Sequence, residues 1–594
     1  MPEAPLPPLL RDRRLFALLA LGALLRLWIG LDVRAGDPTA TALLSDSDYY
    51  MDWAAALRGG PAFAAEGSTL AYWMPPLYPH VIALLGGGLG AVLVFQGLLG
   101  LLTTALVVAL GERMLSTRPT PGAPDAELDA RGRRNAALLG GLVWTLYGPL
   151  IFFEGRVLGA ALATALATLG LLLAAVWRDR HVEGRSGWLA LMASGLVLGL
   201  MVLTRPNTLL ALPVLTVWVL WLSRGARREA TGLDWPAALG RSAAFAIAAL
   251  VPLLPALSHN LSATGALVPV TVNSGVNFYF ANNPESHGTF HAPGIEWGSI
   301  NAQRGVARAG AAEALGVDEV DDLQASSYWF GRGLDYLLED PAGATRLWGL
   351  KLADLLSSTE FGIQYNFRAA RHQAPSLWLV SLPFGALLLL AALGWRRTGV
   401  RLLWPWVLAG AASALLYFTY SRFRLPLLPP LMPFAGLGLL RLVSGRVRPA
   451  PLAIGLILAG QSFLPFEGSY PRHLRSKAFV DMARASDSAV DQLALLDQAL
   501  AVVPGNKPAL VERALVHLRQ GNAAPALADL ENAAALPVDY PLAELQLASL
   551  LARSPDPDFR NVPRARAVLE TWLERHDPSH PYAMEFRTLL GQLP

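Results

Sequence analysis

Apolar segments of membrane-spanning length dominate this sequence, and short arginine-rich loops separate many of them. A hydrocarbon core of roughly 30 Å needs about 20 apolar residues in a helix. The chain has 594 residues, of which 53% are hydrophobic and 16% charged. We therefore predict an all-α fold: a polytopic transmembrane helical bundle of about eleven spans followed by a helical domain. The predicted spans are 15–31, 91–110, 136–152, 157–177, 188–203, 208–222, 242–257, 376–394, 403–418, 425–440 and 451–465.

The arginine clusters predict the orientation of the bundle. Loops that carry excess Lys and Arg usually face the cytoplasm. If 77–89 were a span, about half of the arginine clusters would face the outer side of the membrane. We therefore predict an interfacial helix there. The N-terminus is then cytoplasmic, and residues after about 466 are periplasmic or extracellular. The clusters lie near Arg13, Arg133, Arg180, Arg227, Arg397 and Arg446.

The domain boundaries follow from changes in composition. We predict a membrane domain over 10–465, a linker over 466–484 and a tetratricopeptide-like helical domain over 485–592. Within the membrane domain, outer loops 32–90 and 258–375 are long enough to carry a site. Small or apolar residues at tetratricopeptide spacing support the repeats. These residues are Ala514, Gly521, Ala526, Leu530 and Ala533.

Several kinds of chemistry are absent from the sequence. The chain contains no cysteine, which excludes disulfides, thiolate nucleophiles and Cys-ligated metals. It also lacks a Walker A, a dinucleotide-binding or a Gly-x-Ser-x-Gly motif in a supporting context. The net charge of +3 comes from arginines in short loops and says nothing about nucleic acid.

Carboxylates crowd the segment after the first predicted span. Ser45-Asp46-Ser47-Asp48-Tyr49-Tyr50 lies where the chain leaves the bilayer. Acids beside lipid are costly and therefore usually mark a site. Asp46 is the first candidate for a general base and Asp48 the second. Alternatively, Ser45 or Ser47 caps a surface helix whose N-terminus the acids favour.

A second acid, Glu154, lies at the outer end of the predicted span 136–152. It is a candidate second acid of the site, and the alternative is a local arrangement with Arg156. Arg26, inside the first span, is interpreted as a snorkelling or helix-pairing residue.

Arginines at the outer ends of spans are candidates for binding a phosphate. Arg205 lies at a helix junction before Pro206, and Arg422 and Arg424 lie in Tyr420-Ser421-Arg422-Phe423-Arg424-Leu425-Pro426. The planar guanidinium suits phosphate oxygens. The alternative is snorkelling to lipid headgroups.

An aromatic and amide-rich stretch opens the long outer loop. Asn273, Asn277 and Tyr279, together with Tyr50, are candidates for lining a sugar or acceptor cavity. Alternatively they hydrogen-bond the loop backbone. His287 and His291 are four residues apart, but Gly288 and Pro293 argue against the helix that a metal site would need.

The order of these parts resembles the C-type membrane glycosyltransferases, in particular the protein O-mannosyltransferase and lipid A aminoarabinose transferase group. The resemblance covers roughly 10–465 and rests on the Asp46 loop, the prolines at 75–79, the Glu154 turn and the Arg422 segment. The last of these is similar to that group's Arg-Tyr-x-x-Pro signature. Many relatives carry Asp-Glu where this chain has Asp46-Ser47, which leaves Asp48 open as the base.

This resemblance implies a glycosyltransferase with a polyprenyl-phosphate sugar as donor and an acceptor hydroxyl on the outer face. It implies one inverting displacement with Asp46 as general base. Asp46, Asp48 and Glu154 would act with or without Mg²⁺ or Mn²⁺. The location would be a bacterial inner membrane, where the repeats recruit a protein or glycan acceptor.

Two alternatives remain open. Composition does not separate a lipid-linked glycan ligase or polymerase from a monosaccharide transferase, and only the loop resemblance favours the latter. A lipid or solute transporter with a periplasmic protein-binding domain would need charges near the bilayer midplane and inverted repeats.

Overall fold

The computed structural model is helical throughout the part of the chain that it describes. The described residues are 12–60, 70–116, 128–224, 235–288, 300–360, 362–395, 400–463, 469–538, 540–576 and 582–593. Within these ranges there is no strand, only one isolated bridge between Tyr147 and Ser381. The prediction of an all-α protein is therefore confirmed.

The chain forms two compact units. The first contains Met1–Val33, Leu43–Gly362 and Ala374–Phe466, and the second contains Arg34–Ala42, Ile363–Gln373 and Glu467–Pro594. The helices up to the end of the long outer loop are α1 (Arg13–Gly36), α2 (Asp46–Gly59), α3 (Leu77–Leu84), α4 (Leu89–Leu115), α5 (Ala130–Thr145), α6 (Gly148–Glu154), α7 (Ala160–Val182), α8 (Trp188–Thr204), α9 (Ala211–Arg224), α10 (Trp235–Leu250), α11 (Leu254–Thr264), α12 (Ser274–Ala281), α13 (Ile300–Leu315), α14 (Asp322–Glu339) and α15 (Pro341–Leu356). The others are α16 (Phe367–Gln373), α17 (Phe384–Leu393), α18 (Val400–Leu416), α19 (Ser421–Arg424), α20 (Met432–Val443), α21 (Pro449–Phe463), α22 (Ser469–Arg484), α23 (Ala489–Val502), α24 (Lys507–Arg519), α25 (Ala523–Ala534), α26 (Leu542–Arg553), α27 (Val562–Arg575) and α28 (Ala583–Gly591).

Five helical segments among the described residues are long and apolar enough to cross a membrane. A sixth arises if the bent pair Ser421–Leu427 and Pro429–Val443 counts as one span. Four shorter apolar helices, α8, α17, α21 and most of α18, add to these. The chain thus has the helices of a multi-pass membrane protein, but the predicted count of eleven is not confirmed. The five are Arg13–Gly36, Leu89–Leu115, Ala160–Val182, Pro206–Arg224 and Trp235–Thr264.

Proline explains why some predicted spans are broken. The predicted span 136–152 consists of α5 and α6, and Pro149 occupies the first turn of α6. Proline fits a first turn but removes a hydrogen bond inside a helix. The prediction of one continuous helix there was wrong for that reason. The predicted span 376–394 likewise begins with the 3₁₀ helix Pro375–Val380 and resumes after Pro383.

Glycines bring α5, α17 and α20 into backbone contact. A Cβ built on Gly436 would lie 2.0 Å from the carbonyl oxygen of Ala136, and one on Gly394 would lie 1.7 Å from that of Phe434. Small residues allow such close helix packing in membranes. This packing anchors α20, and two 3₁₀ helices connect α20 to α19, the short helix that carries Arg422 and Arg424.

In the second unit, α22 to α28 pack each against the next along the chain. The alanines predicted from the repeat pattern and Leu530 are fully buried, and Gly521 takes a left-handed conformation with φ +79°. The tetratricopeptide assignment itself stays a prediction. The predicted linker 466–484 is helical over α22, where the Ser476 hydroxyl donates to the carbonyl of Ala499 at 2.7 Å.

Two outer-loop segments complete this second unit. Tyr365 donates a hydrogen bond to the carbonyl of Ala42 at 3.0 Å. The ring of His372 lies 6.3 Å from that of Phe479 in α22. The unit is therefore built from three separate stretches of sequence.

Candidate functional site

Asp46 and Arg422, both predicted from the sequence, form an ion pair. The Nη2 atom of Arg422 donates to Oδ2 of Asp46 at 3.0 Å, and the two side chains are 14% and 13% exposed. Asp46 is the first residue of α2 and Arg422 lies in α19. Ser45, just before α2, has φ +47°, a strained conformation for a residue other than glycine. It makes no side-chain capping hydrogen bond, so the capping alternative does not apply to Ser45.

Arg205 adds a second guanidinium group beside this pair. Its guanidinium carbon lies 3.7 Å from the ring centre of Phe423, and that of Arg422 lies 5.3 Å from the same centre. Its Nη1 donates to the main-chain carbonyl of Arg422 at 3.5 Å, and its buried Nε has no hydrogen-bond partner among the described residues. One guanidinium group therefore binds the carboxylate, a second lies nearby, and its buried donor is available for an anion.

Tyr50 belongs to the same group of side chains. Its ring is buried and packs edge-on against Tyr78 at 5.2 Å. Burial raises the pKa of the Tyr50 hydroxyl, the charge of Asp46 adds to this, and Arg422 and Arg205 oppose it. The phenol therefore stays neutral and can donate a hydrogen bond next to the carboxylate.

Asp48 lies on a different face of α2 from Asp46. Residues two apart on a helix do not share a face, and Asp48 is exposed. Partial burial raises the pKa of Asp48, and the charge of Asp52 adds to this. Of the two candidate bases, Asp46 is the one in contact with an arginine.

Glu154 pairs with Arg26 rather than with another acid. Nε and Nη2 of Arg26 donate to the two carboxylate oxygens at 2.7 and 2.9 Å, and both side chains are buried. Arg26 is therefore a helix-pairing residue that ties α1 to α6.

Arginines already bind two of the candidate carboxylates, and the use of a divalent metal stays a prediction. Asp46 and Glu154 are each bound to an arginine, and the described residues contain no group of three Asp, Glu or His side chains that would hold an ion. His291 lies outside the described residues.

Arg424 forms a separate buried cluster with two residues that the sequence analysis missed. Its Nη2 donates to Glu360 at 2.8 Å and to the Tyr147 hydroxyl at 3.1 Å, and Tyr147 donates to Glu360 at 2.8 Å. Its Nη1 donates to the carbonyl of Ser357 at 2.7 Å. No spacing signal joins these residues, because they lie on three distant parts of the chain.

A cavity extends along α9 and α18 from the arginines. It contains about 540 Å³ of empty space, part of it open to solvent. Asn207 Nδ2 donates to the Ser413 hydroxyl at 2.8 Å in its wall. Arg205, Thr208, Thr419 and Arg424 contribute polar groups to the lining, and most of the other lining residues are apolar. The apolar lining includes Ala211, Leu355, Trp406, Ala409, Gly410, Ala414, Phe418 and Leu427.

The predicted amide and aromatic residues of the long loop form a layer of their own. Tyr279, on α12, lies 4.7 Å from the ring of Trp329 on α14. Burial raises the pKa of Tyr279. Asn273 and Asn277 lie on the same short helix. None of the three lines the cavity along α9 and α18, and their role in sugar binding stays a prediction.

Comparison with solved structures gives low-similarity matches to one kind of enzyme. The archaeal oligosaccharyltransferase AglB from Archaeoglobus fulgidus, in complex with an inhibitory peptide and a dolichol-phosphate, aligns with TM-score 0.40 and 12% identity over 82% of this chain. Its acceptor-peptide-tethered and apo structures align with TM-scores 0.37 and 0.39 at 13% identity. This chain spans 57–58% of the length of those proteins.

No protein-family model and no curated protein matches the sequence. Similarity at the level of these solved structures does not assign a function.

Proposed function

We propose that this protein is an integral membrane glycosyltransferase that moves a sugar from a polyprenyl-phosphate donor to an acceptor hydroxyl. The observation that carries the proposal is the meeting of Asp46, Arg422 and Arg205, with the orphan Nε of Arg205 beside them. Glycosyl transfer needs a carboxylate to take a proton and cations to receive a leaving phosphate. This cluster supplies both.

In the proposed reaction, Asp46 takes the proton of the acceptor hydroxyl while its oxygen attacks the anomeric carbon. The new carbon–oxygen bond forms on the face opposite the bond to phosphate, which breaks with its electron pair on the phosphate oxygen. The sugar is thereby inverted. Arg205 and Arg422 receive the phosphate charge, and Tyr50 donates a hydrogen bond within the site.

The ion pair sets the order of events in this mechanism. In the donor-free state the guanidinium of Arg422 occupies the carboxylate of Asp46. A donor phosphate competes for the guanidinium of Arg422 and so releases the carboxylate. Asp46 is thus activated when the donor is in place.

The cavity along α9 and α18 supports a lipid-linked donor. Its arginine-lined part suits a phosphate, and the apolar part suits the first units of an isoprenoid chain. A cavity lined by both charged and apolar side chains matches the two halves of such a donor.

We further propose a multi-pass protein of a bacterial inner membrane, with a cytoplasmic N-terminus and a periplasmic second unit. The helices of this unit would recruit a protein or glycan acceptor. A lipid-linked glycan ligase or polymerase would use the same site chemistry with a larger donor.

The test is a donor-cleavage assay on the full chain in lipid nanodiscs, with radiolabelled polyprenyl-phosphate sugars and a membrane extract as acceptor source. Asp46→Asn and Arg422→Gln are each expected to lose about 100-fold or more in rate. Asp52→Asn, on the same helix but exposed, is the matched control and should keep wild-type activity. Chelator should leave the rate unchanged.

Two results would contradict the proposal. Equal turnover by Asp46→Asn and wild type would remove Asp46 as the base. Turnover of lipid-linked oligosaccharides alone would favour the ligase.

A further inference from the structure

The helix α18, which precedes the Arg422 segment, is capped at its C-terminus by two side chains of the long outer loop. The last carbonyls of a helix have no partner within it. The Leu415 carbonyl accepts from Nζ of Lys351 at 2.9 Å, and the Leu416 carbonyl accepts from Nδ2 of Asn282 at 2.9 Å. Lys351 lies on α15, and Asn282 follows α12.

The two capping side chains also bind each other. Nζ of Lys351 donates to Oδ1 of Asn282 at 2.8 Å, and Asn282 donates a second hydrogen bond to the carbonyl of Phe278 at 2.8 Å. Both side chains are fully buried. The amide of Asn282 therefore uses its oxygen and both hydrogens, which fixes the junction of α12, α15 and α18.

Lysine is a rare choice in this protein. Three of the 48 Lys and Arg residues are lysines, at positions 351, 477 and 507. With this composition, a buried position is expected to hold an apolar residue, or an arginine if it is basic. A buried ammonium carries a desolvation cost, which the hydrogen bonds to Asn282 and the Leu415 carbonyl offset.

Only a few residues separate this junction from Arg422, which together with Arg205 forms the candidate anion site. Thr419 donates through both its main-chain nitrogen and its hydroxyl to the carbonyl of Gly288, at 3.4 and 3.3 Å. The rings of Phe418, Tyr420 and Phe423 then pack on one another at 5.5–5.7 Å. The ring of Phe423 is the one that faces Arg205.

We propose that Lys351 is a positioning residue for the anion site, acting through Asn282 and the end of α18 to set the place of Arg422. Lys351 itself touches neither donor nor acceptor in this view. The long outer loop thereby controls the geometry of the phosphate-binding arginine. The inference rests on the proposed function only for its binding test.

The first measurement is hydrogen–deuterium exchange of the substrate-free full chain in nanodiscs. Lys351→Met is expected to raise exchange at least fivefold in residues 417–424 and to leave α22–α28 unchanged. Asn282→Asp, which puts a carboxylate against the Leu416 carbonyl, should act in the same direction while Lys351 is kept. Lys507→Met is the control and should leave exchange in 417–424 unchanged, because Lys507 is also buried but binds the Val538 carbonyl and Glu544 within the second unit.

The second measurement is a double-mutant cycle on the binding of a short-chain polyprenyl monophosphate. Lys351→Met should weaken binding about fivefold to tenfold in the wild type and have no further effect in Arg422→Gln. Equal effects in both backgrounds would show that Lys351 does not act through Arg422.

The two measurements distinguish a failure of the proposed function from a failure of the positioning role of Lys351. If the wild type does not bind the polyprenyl monophosphate, the proposed function is wrong, and the exchange experiment still decides the role of Lys351. If exchange in 417–424 is the same in Lys351→Met and wild type, the positioning role is overturned.

Discussion

Replacing Lys351 by Met should change how the stability of the protein depends on pH. Burial lowers the pKa of Lys351 from 10.5 to about 7. At a pH between these two pKa values, the Lys351 amine is protonated in the unfolded chain and neutral in the folded protein. The free energy of unfolding of the wild type therefore rises with pH above 7.

The size of the effect follows from the shift in pKa. Each pH unit in this window contributes about 1.4 kcal/mol, so the wild type gains about 3 kcal/mol between pH 7 and pH 9. Asp354, one turn along α15, does not contribute there, because burial raises its pKa from 3.8 to about 7. Its own effect is a loss of stability as the pH rises from about 4 to 7. Lys351→Met should lack the gain above pH 7.

The assay is reversible unfolding of the full chain in mixed micelles, followed by tryptophan fluorescence at pH 7.0, 8.0 and 9.0. Lys477→Met, at a partly exposed site in the second unit, is the control and should keep the wild-type slope. The reasoning is refuted if Lys351→Met and wild type show the same slope. A lower stability of the variant at all three pH values by a constant amount would also refute it.

Three further predictions concern packing and buried charge. Glu154→Gln should destabilise the first unit by about 3–5 kcal/mol, because it leaves Arg26 buried without its charged partner. In thermal unfolding, the double variant Arg26→Met/Glu154→Gln should recover most of this loss. Gly436→Ala should lower the unfolding temperature, since its Cβ would meet the Ala136 carbonyl at 2.0 Å, and an unchanged temperature would contradict that contact. Ala526→Leu should cost about 1–3 kcal/mol by overpacking α25, measured by circular dichroism of the full chain.

The sequence indicated the helices and part of the site, because both depend on local pattern. Apolar length predicted the membrane helices, and carboxylates and arginines at span ends predicted Asp46, Arg205 and Arg422. The meeting of Asp46 with Arg422 across 376 positions of sequence separation had no local signal.

Other features depend on tertiary contacts that a sequence pattern does not encode. The cluster of Arg424, Glu360 and Tyr147 and the junction at Lys351 join residues whose partners are far away in the chain. Proline broke the predicted span 136–152 through a first-turn preference that hydrophobic length alone ignores.

The discontinuous second unit constrains the order in which the protein can mature. Its segments 34–42 and 363–373 leave the ribosome before residue 467 and the helices that follow. Both segments must therefore wait for the helices against which they pack, 363–373 for about 94 further residues and 34–42 for about 425. Truncation after residue 466 would remove those helices, so its effect would reach two stretches of sequence that lie far before the truncation.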